Sequence, residues 1–146
     1  MKISDRGLRL LKEFEGCKLK SYQCSAGVWT CGWGATGADI GPDTQWTQDE
    51  ADKRLESDLE RFEDGVMQLA EATLNQSQFD ALVCFAYNCG LGNLKKSTLL
   101  KYVNKGLFAA AANEFVKWIF AGGVQVRGLR RRRLAEKALF EYQEIS

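Results

Sequence analysis

Apolar residues recur at helical spacing near the start of the chain, where Leu8, Leu11 and Phe14 stand three residues apart. This spacing predicts the apolar side of a first helix. Ser4 precedes the run and can cap the free N–H groups of the helix, and Gly16 follows it as a residue type that commonly ends helices. The pattern therefore predicts a short amphipathic helix between Ser4 and Gly16.

The next segment is rich in glycine and has the pattern of a β-hairpin. Two strand-like runs, residues 19–22 and 28–31, stand on either side of a turn near residues 25–27. If the turn is centred between Ser25 and Ala26, Tyr22 lies opposite Trp29. We therefore expect a small sheet region directly after the first helix.

A long helix is predicted from residue 47 onward. Thr47 and Glu50 form a capping box, in which each side chain satisfies a free backbone N–H at the start of the helix. One apolar stripe follows on a mostly acidic helix that would span roughly 30 Å at 1.5 Å per residue. The stripe consists of Ala51, Leu55, Leu59, Phe62, Val66 and Leu69.

The rest of the chain has the pattern of a helical lobe, and we expect it to be helical to the end. Asn75 and Gln78 form a second capping box, and the helix that follows is apolar almost all round up to Gly90, as expected for a buried central helix. Further helices are predicted to start at Ser97, near Leu107 and near Arg127, with breaks at Gly106 and at Gly122 and Gly123. The expected organisation is one domain with a lobe at about 1–46, a connecting helix at about 47–71 and a helical lobe at about 72–146.

The composition is that of a folded protein and excludes several classes of enzyme. Of the 146 residues, 45% are apolar and 27% are charged, which is enough for one domain with a real core. Histidine is absent, so Ser-His-Asp triads, Cys-His dyads and HExxH zinc sites are excluded. Acid–base chemistry near neutral pH is left to carboxylates, cysteines, lysines and tyrosines.

Charge is distributed unevenly along the chain, although the net charge is only +1. Residues 1–73 carry 9 basic and 14 acidic side chains, whereas residues 74–146 carry 11 and 5. A basic half favours an anionic partner, such as a cell-wall polymer, a membrane surface or nucleic acid, although solvated helices also explain it. Residues 130–133 are all arginine, and a helix turns too far over four residues for all of them to face water. At least one should pair with a carboxylate or lie at the rim of the core, and nucleic-acid binding is weakly supported.

Five cysteines without a CxxC pair or any histidine make a metal site unexpected, and we expect no cofactor. The charged N-terminal residues exclude a signal-peptide core, and the longest uncharged stretch, residues 21–38, is too polar for a membrane helix. We therefore expect a protein that stays in the cytoplasm until it is released, or one from which an export segment has been removed.

Glu15, Cys24 and Thr30 form the candidate catalytic set. Glu15 stands at the junction of the first helix and the hairpin, Cys24 at the turn and Thr30 on the returning strand. A glutamate at a helix end that an aromatic neighbour such as Phe14 partly screens is suited to act as a general acid. Glycoside hydrolysis needs such an acid and a second group across the sugar ring. By spacing alone, the three residues are equally well explained as an ordinary surface carboxylate, a turn residue and a strand residue.

The same segment resembles the active-site segment of phage-type lysozymes. That family shows Glu, eight residues, Asp or Cys, five residues and Thr, and Glu15, Cys24 and Thr30 match this spacing. The resemblance continues in order along nearly the whole chain and is closest to lysozymes of lambda-like phages and their prophages. Its motifs here are residues 14–16, 20–22, 27–34, 74–76, 78–82 and 85–90, with Gly128, Leu129, Arg131, Arg132 and Glu136.

The resemblance implies an α+β, lysozyme-like fold of two lobes with a cleft between them. It also implies an endolysin, a muramidase that cuts the β-1,4 bond between N-acetylmuramic acid and N-acetylglucosamine in peptidoglycan and lyses the host. Glu15 would be the general acid, Cys24 the group on the opposite face, and Thr30 the residue that positions a water. Two departures are Ala35, where the family usually has histidine, and Cys24, where most members have aspartate.

Further expectations concern location, partners and alternative functions. The resemblance implies a monomer that waits in the host cytoplasm and acts on peptidoglycan in the periplasm, without nucleic acid and without stable membrane insertion. A lytic transglycosylase, which would use Glu15 alone, and a non-catalytic module that binds peptidoglycan remain alternatives.

Three more residues are candidates for binding or regulation. Trp29 is a tentative sugar-stacking residue, although core packing explains it as well, and Asn88 is a candidate hydrogen-bond donor to substrate. Cys24 works as a base or nucleophile only if its pKa is lowered, for which Lys18 and Lys20 are candidate causes. Cys17 and Cys24 are spaced like the cysteines of endolysins that a disulfide holds inactive until a thiol frees them. Such a bond is incompatible with the hairpin, because seven residues of strand span roughly 23 Å.

Overall fold

The computed structural model describes residues 1–143. It divides into two compact units, and the boundaries fall within α1 and α2. We call Leu11–Arg61 the hairpin unit, and Met1–Leu10 together with the chain from Phe62 onward the helical unit. The elements in order are α1 (Asp5–Glu15), β1 (Lys18–Gln23), β2 (Trp29–Gly32), β3 (Ala35–Thr36), α2 (Gln48–Leu69), α3 (Gln76–Cys89), α4 (Leu91–Lys96), α5 (Thr98–Asn104), α6 (Phe108–Glu114), a 3₁₀ turn (Phe115–Lys117), β4 (Phe120–Ala121), β5 (Val124–Gln125) and α7 (Arg127–Glu141). The expected α+β class is confirmed.

The predicted first helix is confirmed at both ends. The Ser4 hydroxyl accepts the N–H of Gly7 at 3.4 Å, so Ser4 caps α1, and the helix ends before Gly16. The backbone N–H of Ser4 also donates to the buried carboxylate of Asp80 at 3.0 Å. This contact joins the start of the chain to α3 within the helical unit.

The hairpin exists as predicted, but its register and its strand count differ from the prediction. Gly27 has φ +78, a conformation that favours glycine, and the N–H of Cys24 donates to the carbonyl of Val28 at 2.9 Å. A three-residue loop of this kind centres the turn on Ala26, so Tyr22 lies opposite Thr30 and not opposite Trp29. A third strand, β3, was not predicted; it pairs antiparallel with β2.

The predicted capping boxes of α2 and α3 are both present. Thr47 and Glu50 exchange side-chain-to-backbone hydrogen bonds of 3.0 and 3.1 Å, and Asn75 and Gln78 do the same with 3.0 and 2.8 Å. All positions of the apolar stripe on α2 are buried except Leu69, which is half-buried. Polar side chains at the first turn therefore set where both helices begin.

The helical unit is built around α3, which packs against α7. Phe85 makes edge-on contacts with Phe115 and Trp118 in its core. Helices begin at the predicted sites, since Ser97 caps α5, α6 follows Leu107 and α7 begins at Arg127. The expectation of helix to the end is wrong, because Gly122 and Gly123 form the two-residue turn of a second hairpin, β4–β5. The short helix α4 was also missed.

The run of arginines is divided between water and the core, as its helical spacing requires. Arg130 and Arg131 are exposed, whereas Arg132 and Arg133 are buried and form ion pairs with the buried Glu136 at 3.0 and 3.1 Å. The prediction that at least one arginine pairs with a carboxylate is confirmed. No helix in the described part of the chain combines the length and apolar character needed to cross a bilayer.

Candidate active site in the hairpin unit

Glu15 is the last residue of α1, and its carboxylate borders the segment that leaves β2. Gly34 has φ +84, and a Cβ built on it falls 2.5 Å from Oε1 and 3.2 Å from Cδ of Glu15. Any larger residue at this position would collide with the carboxylate. The turn after β2 therefore fits closely against the end of the first helix.

Tyr22, Cys24 and Thr30 share one face of the hairpin. Tyr22 and Thr30 are cross-strand partners, and Cys24 lies two residues beyond Tyr22, so the alternation of side chains places the three together. The neighbouring positions of β2, Trp29 and Cys31, face the other way, into the core of the unit. The one-residue difference in register thus decides which side chains accompany Cys24.

The thiol of Cys24 lies in the hairpin loop, where hydrogen bonds stabilise its charged form. The backbone N–H groups of Val28 and Ala26, with a smaller contribution from the Thr30 hydroxyl, lower the pKa of Cys24 below its ordinary value. The lowered pKa that its proposed role requires is therefore present. The expected cause is wrong: it is the loop backbone and not Lys18 or Lys20. Lys18 instead lies 4.7 Å from the centroid of the Tyr22 ring.

Tyr22 connects the carboxylate and the thiol electrostatically. Burial raises the pKa of Tyr22, and the negative charges of Glu15, Cys24 and Cys31 raise it further. One phenol group therefore lies within electrostatic reach of both Glu15 and Cys24. Because Tyr22 is also the cross-strand partner of Thr30, the three predicted catalytic residues all lie around one phenol group of the hairpin unit.

Two of the tryptophans of the hairpin unit support its core. Trp29 and Trp46 pack against the buried side chains of Cys31, Ala35 and Ile40, which is the packing alternative for Trp29. Trp33 lies outside this core packing, because β2 ends at Gly32 and Trp33 falls in the following turn. Ala35, where the resemblance leads one to expect histidine, is a small member of this core.

Trp33 has a different environment, which the sequence did not indicate. Its indole N–H donates to Asp52 on α2 at 2.8 Å, and the ammonium of Lys12 lies 5.0 Å from its ring centroid. Gln48 donates to the same Asp52 oxygen at 2.9 Å. These contacts lower the pKa of Asp52, and the indole N–H has the largest effect.

Cys17 and Asn88 lie apart from the set of Glu15, Cys24 and Thr30. Cys17 precedes β1, and its sulfur accepts a hydrogen bond from Gln48 at 3.7 Å. Asn88 belongs to the helical unit, at the end of α3, where its carbonyl oxygen accepts a hydrogen bond from the buried Arg133. That bond leaves the two N–H groups of the exposed amide as donors.

The site offers carboxylate, thiol and hydroxyl groups for acid–base chemistry. Within residues 1–143, no cluster of Cys, Asp and Glu side chains has the arrangement that would hold a metal ion. The residues that sequence reasoning missed are Tyr22, Gly34, Trp33 and Asp52. Tyr22, Trp33 and Gly34 lie within the motifs that carry the resemblance, and Tyr22 also stands two residues before Cys24, whereas Asp52 had no such signal.

Comparisons with known proteins show the family of the chain. The profile of the family described as phage lysozyme matches residues 12–136, which include the whole catalytic set. The endolysin of Bacillus phage B103 is 47% identical over 142 residues, covering 96% of this chain and 54% of that protein. The chain thus spans about half the length of this relative.

Other relatives match over their full length. The endolysin of Salmonella phage P22 is 37% identical over 144 residues, covering 96% of this chain and 98% of that protein. Among solved structures, the muramidase domain of SpmX from Asticaccaulis excentricus has a TM-score of 0.89 and 35% identity, covering 97% of this chain and 99% of that one.

Proposed function

Because the chain belongs to the phage lysozyme family, we propose that it is an endolysin, a glycoside hydrolase of peptidoglycan. The bond cut is the β-1,4 linkage between N-acetylmuramic acid and N-acetylglucosamine, and the result is lysis of the host. The observation that carries this proposal is that Tyr22, the cross-strand partner of Thr30, lies within electrostatic reach of both Glu15 and Cys24. Glycoside hydrolysis needs an acid for the leaving oxygen and a second group for the anomeric carbon or for water.

Glu15 is the general acid in this proposal. Its carboxyl group protonates the glycosidic oxygen as the bond to the anomeric carbon breaks. The support is its position at the end of α1, beside the backbone of Gly34, with no room for a larger residue between them. A helix end and a neighbouring turn limit the positions that a carboxyl group can occupy, which favours its orientation toward the bond.

Cys24 acts on the opposite side of the sugar ring, as nucleophile, as base or as a stabilising charge. Its thiolate is favoured by the N–H groups of Val28 and Ala26, which the backbone of the loop supplies. An aspartate has its charge at neutral pH without help, whereas a cysteine needs this support. The backbone of the loop thus adapts the position to a thiol.

Thr30 orients either a water or the thiol, depending on where its one proton points. Its hydroxyl donates to the carbonyl of Val28 at 3.0 Å, which leaves its lone pairs for the S–H of Cys24 or for a water. When Cys24 loses its proton, rotation of the hydroxyl lets Thr30 donate to the thiolate instead. Thr30 therefore responds to the charge of Cys24 and does not carry charge itself.

The products of digestion test this function. Purified peptidoglycan is digested with the full chain, and the fragments are analysed by mass spectrometry. Hydrolysis adds one water and leaves reducing N-acetylmuramic acid ends, which is the expected result. Anhydro-muramic ends would identify a lytic transglycosylase, and unchanged peptidoglycan that retains bound protein would identify a binding module. Either of these results contradicts the proposal.

We propose further that a disulfide between Cys17 and Cys24 can hold the enzyme inactive. All five cysteines are free thiols, and β1 separates Cys17 from Cys24. The bond needs Cα atoms about 4.4–6.8 Å apart, so it would form only after β1 leaves the hairpin. A small disulfide oxidant takes up the two electrons and two protons of the thiols, and excess thiol reverses the reaction.

Mass spectrometry and lysis assays test this regulation. The chain is oxidised, its disulfides are mapped, and lysis is measured before and after reduction. We expect a Cys17–Cys24 bond, loss of lysis and recovery with thiol. Full activity of the oxidised chain, or inactivation of Cys17→Ser by the same oxidant, would contradict the proposal.

The remaining parts of the proposal concern where and how the protein works. It is a monomer that waits in the host cytoplasm and acts in the periplasm on peptidoglycan, with Asn88 as a substrate contact and no nucleic-acid partner. The stacking of Trp29 on a sugar stays a prediction. The particular similarity to lysozymes of lambda-like phages also stays a prediction.

A further inference from the structure

We propose that Trp33 and Asp52 are positioning residues for Glu15, an inference that rests on the proposed role of Glu15 as general acid. Neither residue belongs to the catalytic set, and no pattern in the sequence links the two. Trp33 directly precedes Gly34, whose backbone borders the Glu15 carboxylate. Contacts that fix the Trp33 side chain therefore also fix the Gly34 backbone against which Glu15 lies.

The indole ring of Trp33 is held by two helices. Its N–H donates to Asp52 Oδ1 on α2 at 2.8 Å. Its face receives the ammonium of Lys12, 5.0 Å from the centroid, and Lys12 stands three residues before Glu15 on α1. We call Lys12, Trp33, Gln48 and Asp52 the indole anchor. It links the last turn of α1, the turn after β2 and the first turns of α2 within one unit.

The charge and the fixed position of the Asp52 carboxylate orient the hydrogen bond from the Trp33 indole. Gln48, one turn earlier on α2, donates to the same oxygen at 2.9 Å and limits the rotation of the carboxylate. The indole and amide N–H groups, helped by the charge of Lys12, lower the pKa of Asp52, so the acceptor stays ionised at neutral pH. A hydrogen bond to an ionised acceptor is stronger and better oriented than one to a neutral group.

Gly34 connects the orientation of the Trp33 ring with the position of the Glu15 carboxylate. Its backbone leaves no space for even a methyl group beside Oε1. A small shift of the Trp33–Gly34 segment therefore changes the position open to the carboxyl group. Misplacing a catalytic group by about 1 Å can cost about a hundredfold in rate. We expect loss of the anchor to lower kcat by about ten- to a hundredfold and to leave KM nearly unchanged.

The test compares Trp33→Phe, Asp52→Ala and their double variant in the full chain. Phenylalanine keeps an aromatic ring for Lys12 and removes the N–H together with one ring of the indole. Asp49→Asn is the matched control, because it removes a carboxylate from the same turn of α2 whose ion pair with Lys53 is largely exposed. Release of reducing ends from purified peptidoglycan gives kcat and KM, and thermal unfolding is measured for each variant.

The way in which the effects of the two substitutions on kcat combine shows whether Trp33 and Asp52 position Glu15 or only support the fold. If the two residues act as one unit, the double variant is no slower than the slower single variant, and Asp49→Asn equals the parent protein. Single variants with kcat within about twofold of Asp49→Asn, or losses that multiply, would overturn the proposal. If Asp52→Ala does not stay folded in the assay, Asp52→Asn replaces it, and a kcat equal to the control then overturns the proposal.

Glu15→Gln makes failure of this inference distinguishable from failure of the proposed function. An active Glu15→Gln protein would refute the catalytic role of Glu15, and with it the positioning of Glu15 by the anchor. An inactive Glu15→Gln protein combined with fully active Trp33→Phe and Asp52→Ala variants would overturn the indole anchor alone.

Discussion

Cys24 in the hairpin unit and Cys89 in the helical unit are both half-buried, and their surroundings shift their pKa values in opposite directions. Cys24 has a lowered pKa because backbone N–H groups of its loop and the Thr30 hydroxyl favour the thiolate. Cys89 has a raised pKa because burial disfavours the thiolate, even though Arg133 donates a hydrogen bond to its sulfur. A neighbouring arginine is therefore a poor guide to thiol reactivity.

The reason lies in what else surrounds each thiol. Arg133 and Arg132 share the buried carboxylate of Glu136, so much of their positive charge is already balanced, and Glu136 itself raises the pKa of Cys89. At Cys24 the hydrogen bonds from the loop N–H groups outweigh the effect of burial, and the loop is open to water. The surroundings of Cys24 therefore favour a charged thiol, whereas the charges near Cys89 are paired with one another inside the core of the helical unit.

The largest effect should come from removing the proposed proton donor of the hairpin unit. Glu15→Gln keeps the size of the side chain, so the fold should survive while lysis falls about 10²–10⁴-fold. Glu13→Gln, which alters an exposed carboxylate on the same helix, should match the parent protein. Wall-clearing rates at equal protein concentration measure both. A Glu15→Gln variant that keeps most of its activity would show that the chemistry lies elsewhere.

Removing the shared carboxylate of the helical unit should affect stability and leave the chemistry intact. Glu136→Gln removes the charge of the carboxylate that pairs with both buried guanidinium groups, and we expect a loss of about 3–5 kcal/mol in the free energy of unfolding. Glu141→Gln, at the exposed end of the same helix, should change it little. Urea unfolding measures the difference. A Glu136→Gln protein as stable as the Glu141→Gln control would contradict the balance of charges described here.

The identity of the group at position 24 should matter to activity in a graded way. Cys24→Asp should stay active and become indifferent to oxidants, because a carboxylate carries its charge without the loop. Cys24→Ser should be slower by roughly tenfold or more, because a hydroxyl is a poorer base and nucleophile. Lysis assays with and without oxidant compare the three proteins. Equal activities would mean that position 24 serves the fold only.

Smaller effects should appear in the pH dependence of thiol alkylation. Because its folded-state pKa is lowered, Cys24 should react at a pH below that of an ordinary thiol, and Cys89 only above it. Thr30→Val removes a hydrogen bond to the thiolate and should slow alkylation of Cys24 about two- to tenfold at neutral pH. Peptide mapping after timed alkylation follows each cysteine. Identical pH midpoints for Cys24 and Cys89 would remove the contrast between the two units.

The smallest expected effect concerns Asn88, the exposed neighbour of the buried arginines. Asn88→Asp keeps an oxygen for Arg133 and removes the amide donors, so KM should rise about two- to fivefold with kcat unchanged. Asn93→Asp, an exposed amide on α4, serves as the control. Steady-state kinetics on purified peptidoglycan separate kcat from KM. An unchanged KM would leave Asn88 with a structural role only.

Most of the fold could be predicted from local patterns. Ser4, Thr47, Asn75 and Ser97 each satisfy free N–H groups at the start of a helix, and this chemistry involves residues at most four apart. The second hairpin was missed because its strands, Phe120–Ala121 and Val124–Gln125, are two residues long and too short for an alternating pattern. The helix α4 was missed because six residues contain too few apolar positions to define a period.

The sequence predicted which residues form the candidate site but not how they are arranged. Spacing and resemblance identified Glu15, Cys24 and Thr30, whereas the register depended on the conformation of a single residue, Gly27. The cause of the Cys24 shift was also out of reach, because backbone N–H groups are present at every residue and only the loop geometry directs them at a sulfur. Asp52 lies 19 residues from Trp33, and no periodicity links an indole to that carboxylate.

The sequence by itself determined the kinds of chemistry available and where most helices begin. The absence of histidine, the spacing of Glu15, Cys24 and Thr30, and the capping residues are properties of the chain that any conformation would retain. The tertiary structure alone decided which face of β2 accompanies the thiol, which arginines are buried, and that Met1–Leu10 belongs to the helical unit. Local patterns act over a few bonds, whereas pKa shifts and buried ion pairs depend on groups that folding brings together from distant parts of the chain.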